Sequence, residues 1–141
     1  MKEISGINHV GLRVKSLEVS RVFYELLGFE FIVGPIGPEP VAIMEHPSGV
    51  NINFILNASK HSTTNMLMDV AEKHTGYTHM AIDVSDLESV EKQLKEKNIP
   101  ITGGPITIED GSTFIFIRDP DSNVIEFHRA GRLNISNSII P

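Results

Sequence analysis

A chain of 141 residues with 40% hydrophobic side chains is sized for one folded domain with an ordinary core. Its net charge of -6, without a basic run or lysines clustered among aromatics, lacks the electrostatic footprint of a nucleic-acid binder. No apolar run approaches membrane-span length, no charged-then-apolar leader opens the chain, and cysteine is absent, so a soluble, disulfide-free, cytoplasmic protein is expected.

INHVGLRV, residues 7 to 14, alternates as a β-strand does. Ser16 can then cap a helix through LEVSRVFYELL, with Leu17, Phe23, Leu26 and Leu27 as its apolar face and Gly28 as its stop. GPIGPEP, residues 34 to 40, reads as a Gly- and Pro-rich turn, and PSGVNINF, from 47, as a closing strand. The segment NASKHSTTNMLMDVAEKHT, residues 57 to 75, has no clear period. Core filling is the expected use of its Met66, Leu67 and Met68, against a roof over a cavity or a partner contact.

The pattern then starts again. GYTHMAIDV reads as a strand, and Ser85 with Glu88 has the S-x-x-E spacing of a capping box. A helix through SVEKQLKEK ends at Asn98, Pro100 bars its continuation, GGP at 103 to 105 reads as a turn, and PDSNVIEF, from 120, closes the second half.

These halves are copies of one unit. At an offset of 70 residues Gly6, His9, Leu17, Glu18 and Gly28 fall on Gly76, His79, Leu87, Glu88 and Asn98. At an offset of 73 Pro47, Ile52, Asn53 and Phe54 fall on Pro120, Ile125, Glu126 and Phe127. A lone histidine on an apolar strand is by default a satisfied core residue, but two at equivalent places in two copies suggest a shared task. A pseudo-two-fold axis between the copies would bring positions 9, 79, 53 and 126 together. Two imidazoles and one carboxylate suit Fe(II), Mn, Ni, Co or Zn, and the absence of a fourth strong ligand would leave coordination positions open for substrate, as at a catalytic site.

INHVGLRVKSLEVSRVFYELLGFEF, GYTHMAIDVSDLESVEKQLKEKNIP and FIRDPDSNVIEFHR resemble the signature segments of the vicinal oxygen chelate superfamily. That superfamily groups glyoxalase I, methylmalonyl-CoA epimerase, fosfomycin-resistance thiol transferases, extradiol dioxygenases and bleomycin-resistance proteins. The resemblance covers roughly residues 4 to 130 and implies an α+β fold of two βαβββ modules related by a pseudo-two-fold, cupped into an incomplete barrel around one divalent metal. Module 1 would span about 4–57, a linker about 58–75, module 2 about 76–130 and a C-terminal tail about 131–141, all within a single glyoxalase-like domain. The family's ligand positions fall on His9, Asn53, His79 and Glu126.

Glyoxalase I carries a glutamate at position 53 and the epimerases a glutamine. Asn53 is shorter and cannot act as a base, which leaves His9, His79 and Glu126 as the metal ligands and Glu126 also as the catalytic proton carrier. This triad is similar to that of the extradiol dioxygenases and the fosfomycin enzymes. Both usually place a tyrosine where Phe116 stands here. Asn53 and His128 are candidates for a weak ligand or a contact beside the metal. His46, His61 and His74 fall in turn-like or linker sequence, where solvent exposure is the default.

The leading expectation is a glyoxalase-I-like lyase or isomerase acting on a small oxygenated substrate through a metal-stabilised enediolate. An Fe(II) extradiol-type dioxygenase is the alternative, and a metal-free binding protein of the bleomycin-resistance kind the second alternative. The metal, one divalent ion of Fe, Mn, Ni, Co or Zn, is the sole cofactor expected. The expected partners are a small-molecule substrate and a second copy of the chain in a homodimer, with neither nucleic acid nor membrane. Arg13, Arg21, Arg118 and Arg129 are scattered, so no basic cluster marks a glutathione or coenzyme A site.

Overall fold

The computed structural model describes residues 1–131; the tail expected at about 131–141 otherwise lies outside them. Strand, helix and three strands follow one another, and then the same order recurs. The first set is β1 (Val10–Arg13), α1 (Leu17–Leu26), β2 (Glu30–Ile36), β3 (Val41–Glu45) and β4 (Asn51–Ile55). The second is β5 (His79–Asp83), α2 (Leu87–Glu96), β6 (Gly103–Thr107), β7 (Thr113–Arg118) and β8 (Val124–Arg129). Each set forms its own open four-stranded sheet, ordered β1-β4-β3-β2 and β5-β8-β7-β6. The fold is therefore α+β with two repeated βαβββ modules, as expected. The chain divides into two units, Met1–Thr63 and the described residues from Thr64 onward, so the connecting segment splits between them.

Register carries the repeat into three dimensions. Val10 pairs with Ile52 in the parallel β1–β4 ladder, and Met80 pairs with Ile125 in the parallel β5–β8 ladder, preserving both offsets. Ser16 caps α1 by accepting from the Val19 amide. In α2 the capping box expected at Ser85 and Glu88 does not form. Asp86, which lies 70 residues beyond Ser16, takes the extended cap conformation, and its carboxylate accepts from the Ser89 amide three residues on. Ser85 is one residue too early for that geometry. Both helices stop where expected, with Gly28 at φ 94° and Asn98 at φ 57°.

The Gly-Pro stretches are only partly turns. Gly34-Pro35 lies inside β2 and Gly104-Pro105 inside β6, each with a shift in ladder register, while the first turn itself occupies residues 37–40. Both are edge strands, where a proline can turn its donorless nitrogen away from the ladder.

In each unit the helix covers one sheet face. Val14, Tyr24, Phe29, Ala42, Met44, Ile52 and Phe54 form the first core; Leu87, Leu94, Ile99, Ile115, Ile117, Ile125 and Phe127 the second. Each large side chain so buried contributes about 1.5–3 kcal/mol. The inward stripe of α1 differs from the expected one: Ser20 and Tyr24 are buried, Leu17, Phe23 and Leu27 half-buried, and Leu26 is 41% exposed. At 100° per residue, 17, 20, 24 and 27 share a stripe that 26 leaves. Tyr24 fills the centre of this core, its ring against Phe23, Phe29 and Phe54. Among the described residues no helix is long and apolar enough to cross a membrane.

Candidate metal centre

The sheet faces turned away from the helices carry the residues singled out by the sequence. In the first unit Gly11 pairs with Asn53 and Asn53 with Ile43. His9 directly precedes β1, and strand alternation assigns it to the face shared by Gly11, Arg13 and Asn53. Its Nδ1 donates to the Asn8 Oδ1 at 2.8 Å.

In the second unit Ala81 pairs with Glu126, and Glu126 with Phe116 on its other side. Position 126 thus has the same sheet register as position 53. The structure brings three site residues together here. His79 Nε2 stands 3.5 Å from Glu126 Oε1, and His128 Nδ1 donates to Glu126 Oε2 at 2.9 Å. Glu126 is 8% exposed. The Nδ1 of His79 faces the Thr78 hydroxyl at 2.9 Å.

Aromatic rings complete this face. His128 stacks on Phe114 with centroids 5.6 Å apart and planes 3° from parallel, and Phe116 meets His79 edge-on at 5.9 Å. Phe114 and Phe116 also touch each other. The part of Phe114 was missed in the sequence, although the alternation of TFIFIR places it two residues before Phe116 and on the same face.

The remaining candidates are held elsewhere. His46 departs from the solvated default: half-buried, it hydrogen-bonds Ser48 and packs edge-on to Phe29. His61 is exposed, and so is His74, 3.9 Å from Glu72. The arginines are spoken for: Arg13 bonds Asn57, Arg21 bonds Glu25 and lies over the Phe31 ring, and Arg129 bonds Thr113. Met66 is exposed, while Leu67 and Met68 are half-buried and Leu67 lies against Gly76.

Arg118 makes a bidentate pair with Asp69 at 2.8 and 2.9 Å and donates to the Ser122 carbonyl, which also accepts from Asn65. The end of the connecting segment is thereby tied to the β7–β8 turn. The Arg118 bond holds the Asp69 carboxyl below its ordinary range. Asp110 is lowered as well, chiefly by bonds from Ser112.

The donors that suit a divalent metal are the imidazole of His9 in the first unit and, in the second, the imidazole of His79 beside the Glu126 carboxylate. Among the described residues no group of three or more His, Asp or Glu side chains is gathered closely enough to hold a metal ion. Glu126 is a nearly buried carboxylate with an imidazole beside each oxygen, His79 at Oε1 and His128 at Oε2. Burying such a charge is costly without a strong counter-charge, and nitrogen and oxygen donors of this kind suit a transition ion.

Comparison with known proteins agrees with this reading of the fold. The chain is 31% identical over 126 residues to a lactoylglutathione lyase of Haemophilus influenzae, covering 86% of this chain and 90% of that one. A glyoxalase/dioxygenase from Nostoc punctiforme superposes with a TM-score of 0.71 at 20% identity, over 92% of this chain and 94% of that one. A genomically encoded fosfomycin resistance protein from Listeria monocytogenes superposes with a TM-score of 0.69 at 21% identity, over 97% and 99%. The family model of the Glyoxalase/Bleomycin resistance protein/Dioxygenase superfamily matches residues 6–127, and the chain belongs to that superfamily.

Proposed function

We propose that this protein is a divalent-metal-dependent lyase or isomerase of the glyoxalase I type, acting on a small oxygenated substrate, with the metal held by His9, His79 and Glu126. The observation that carries the proposal is the buried Glu126 carboxylate, with one oxygen toward His79 Nε2 and the other held by His128. The 31% identity to a lactoylglutathione lyase supports the reaction class. When bound, the metal supplies Lewis-acid polarisation of two adjacent substrate oxygens.

The chain's own groups do the rest. His9 and His79 would hold the metal through Nε2, and Asn53, a neutral amide, would add no charge to the set. Glu126 takes up the proton from the substrate carbon next to the polarised carbonyl and returns it at the neighbouring carbon. The His128 bond fixes which carboxylate oxygen faces the reaction. Phe114 and Phe116 keep water from that side of the carboxylate and offer an apolar wall to the substrate. Phe116, paired directly with Glu126, cannot supply the phenol that the dioxygenases and fosfomycin enzymes usually place there, which favours the lyase reading. The working form in this reading is a cytoplasmic homodimer.

Elemental analysis of protein purified without chelator or added metal tests the assignment, alongside turnover of a hemithioacetal and a catechol. Nickel, cobalt or zinc with hemithioacetal turnover is the expected result. Iron with catechol cleavage would replace the proposal with the dioxygenase, and failure to bind any of these ions would replace it with the binding protein.

A further inference from the structure

An imidazole offers a metal only the nitrogen that does not carry the proton, and the partner of the other nitrogen decides which one that is. In a free histidine side chain the neutral ring keeps its proton mostly on Nε2, the wrong place for a ligand that binds through Nε2. Each candidate ligand has an oxygen placed to work against that preference. The Nδ1 of His9 lies 2.8 Å from Asn8 Oδ1, and the Nδ1 of His79 lies 2.9 Å from Thr78 Oγ1. Asn8 and Thr78 are themselves 70 residues apart, so the contact recurs at equivalent places although one residue is an amide and the other an alcohol. Both precede their strands, which begin at Val10 and His79.

We infer that Asn8 and Thr78 are positioning residues that fix the proton of each imidazole on Nδ1 and so present Nε2 of His9 and His79 to the metal. This rests on the reading of both histidines as ligands. An amide oxygen can only accept, so His9 Nδ1 must donate and its Nε2 lone pair is exposed. A hydroxyl can accept or donate; where Thr78 accepts from Nδ1 of His79, Nε2 of that ring, which faces Glu126 Oε1 at 3.5 Å, is left without a proton. His128 plays the corresponding part for the carboxylate, since it occupies Oε2. Each proposed ligand then has its far atom held by a neighbour, which orients the ring or carboxylate and raises the basicity of the bound atom.

The test is imidazole 15N NMR on the full-length, metal-free chain at a pH where the rings are neutral, together with Co(II) titration of the same samples. The wild type should show His9 and His79 with the proton on Nδ1. Asn8→Ala and Thr78→Val should each move the matching ring toward the Nε2-protonated form and weaken Co(II) binding about 10- to 100-fold. Asn8→Asp and Thr78→Ser, which keep an accepting oxygen, should restore both properties. Wild-type rings protonated on Nε2, or variants that leave the ring state unchanged, would overturn the inference even if His9→Ala and His79→Ala still abolish Co(II) binding. The expected ring states with full Co(II) binding by His9→Ala and His79→Ala would instead overturn the metal assignment, and the inference with it.

Discussion

Ser20 is the least comfortable residue in the first core. It lies in the middle of α1 at 1% exposure, and among the described residues its hydroxyl has no hydrogen-bond partner. Ser20→Ala should therefore stabilise the protein. Removing an unsatisfied buried hydroxyl recovers about 1–3 kcal/mol, and the better helix propensity of alanine adds about 0.5 kcal/mol. Against this, the void left by one oxygen takes back roughly 0.5 kcal/mol. A net gain of about 1–3 kcal/mol raises the melting temperature of a chain this size by about 3–9 °C. The repeat offers its own control, since the equivalent position in α2 is Val90, already apolar and half-buried. Calorimetry and urea unfolding measure the effect, and should the two units melt separately, only the first unit's transition should move. An unchanged or lower melting temperature at constant m-value would refute the reasoning and show that the hydroxyl has a partner.

Four further outcomes are expected. His9→Ala, His79→Ala and Glu126→Ala should each strip the metal while circular dichroism stays native; full metal content in all three would end the metalloenzyme reading. Asn53→Ala should keep most of the metal, because the remaining ligands supply the charge, whereas Asn53→Glu should tighten binding and preserve hemithioacetal turnover; metal loss in Asn53→Ala equal to that in Glu126→Ala would make the amide a true ligand. Asp69→Asn should untie the segment before β5. Because the Arg118 bond lowers the Asp69 carboxyl from its ordinary 3.8, the stabilisation is complete above that value and disappears only as the pH falls below it. The urea midpoints of the wild type and Asp69→Asn should thus differ by a constant amount from pH 6 to 8 and converge in strong acid; a gap that closes near neutrality would assign the effect to another group. Light scattering at micromolar concentration should give the mass of a dimer, and a monomeric mass would count against the proposed assembly.

Most of the architecture could be read from the sequence because it is written twice. Helix stops at Gly28 and Asn98, and strand faces around positions 53 and 126, are fixed by local chemistry and by alternation, which the second copy checks independently. The misreadings have local causes. Ser85 and Asp86 are both good caps, and only the geometry of the entering chain selects Asp86. Gly-Pro reads as a turn unless the strand is known to be an edge, and edges are set by pairing between distant segments. The Arg118–Asp69 pair spans 49 residues and leaves no trace in any periodicity. His128 was visible as a neighbour of Glu126 on the same face, but its stacking on Phe114 depends on the β7–β8 register.

The two copies differ in their cores, where Ser20 and Tyr24 stand opposite Val90 and Leu94, and on the faces that the helices leave uncovered. Other scaffold positions remain equivalent: Ile52 and Ile125, Phe54 and Phe127, and the caps Ser16 and Asp86. Above them, where the first sheet has Asn53, Ile43 and Ile55, the second has Glu126, Phe116 and His128 in the same register. The first face thus offers one imidazole among an amide, aliphatic groups and Arg13, while the second offers an imidazole, a carboxylate and the residues that orient and shield it. Under the proposed function Glu126 would balance the metal's charge, and a carboxylate introduced at Asn53 would change the number of open coordination positions. Position 53 is accordingly where this scaffold would shift between chemistries that need vacant sites on the metal and chemistries that need a second base.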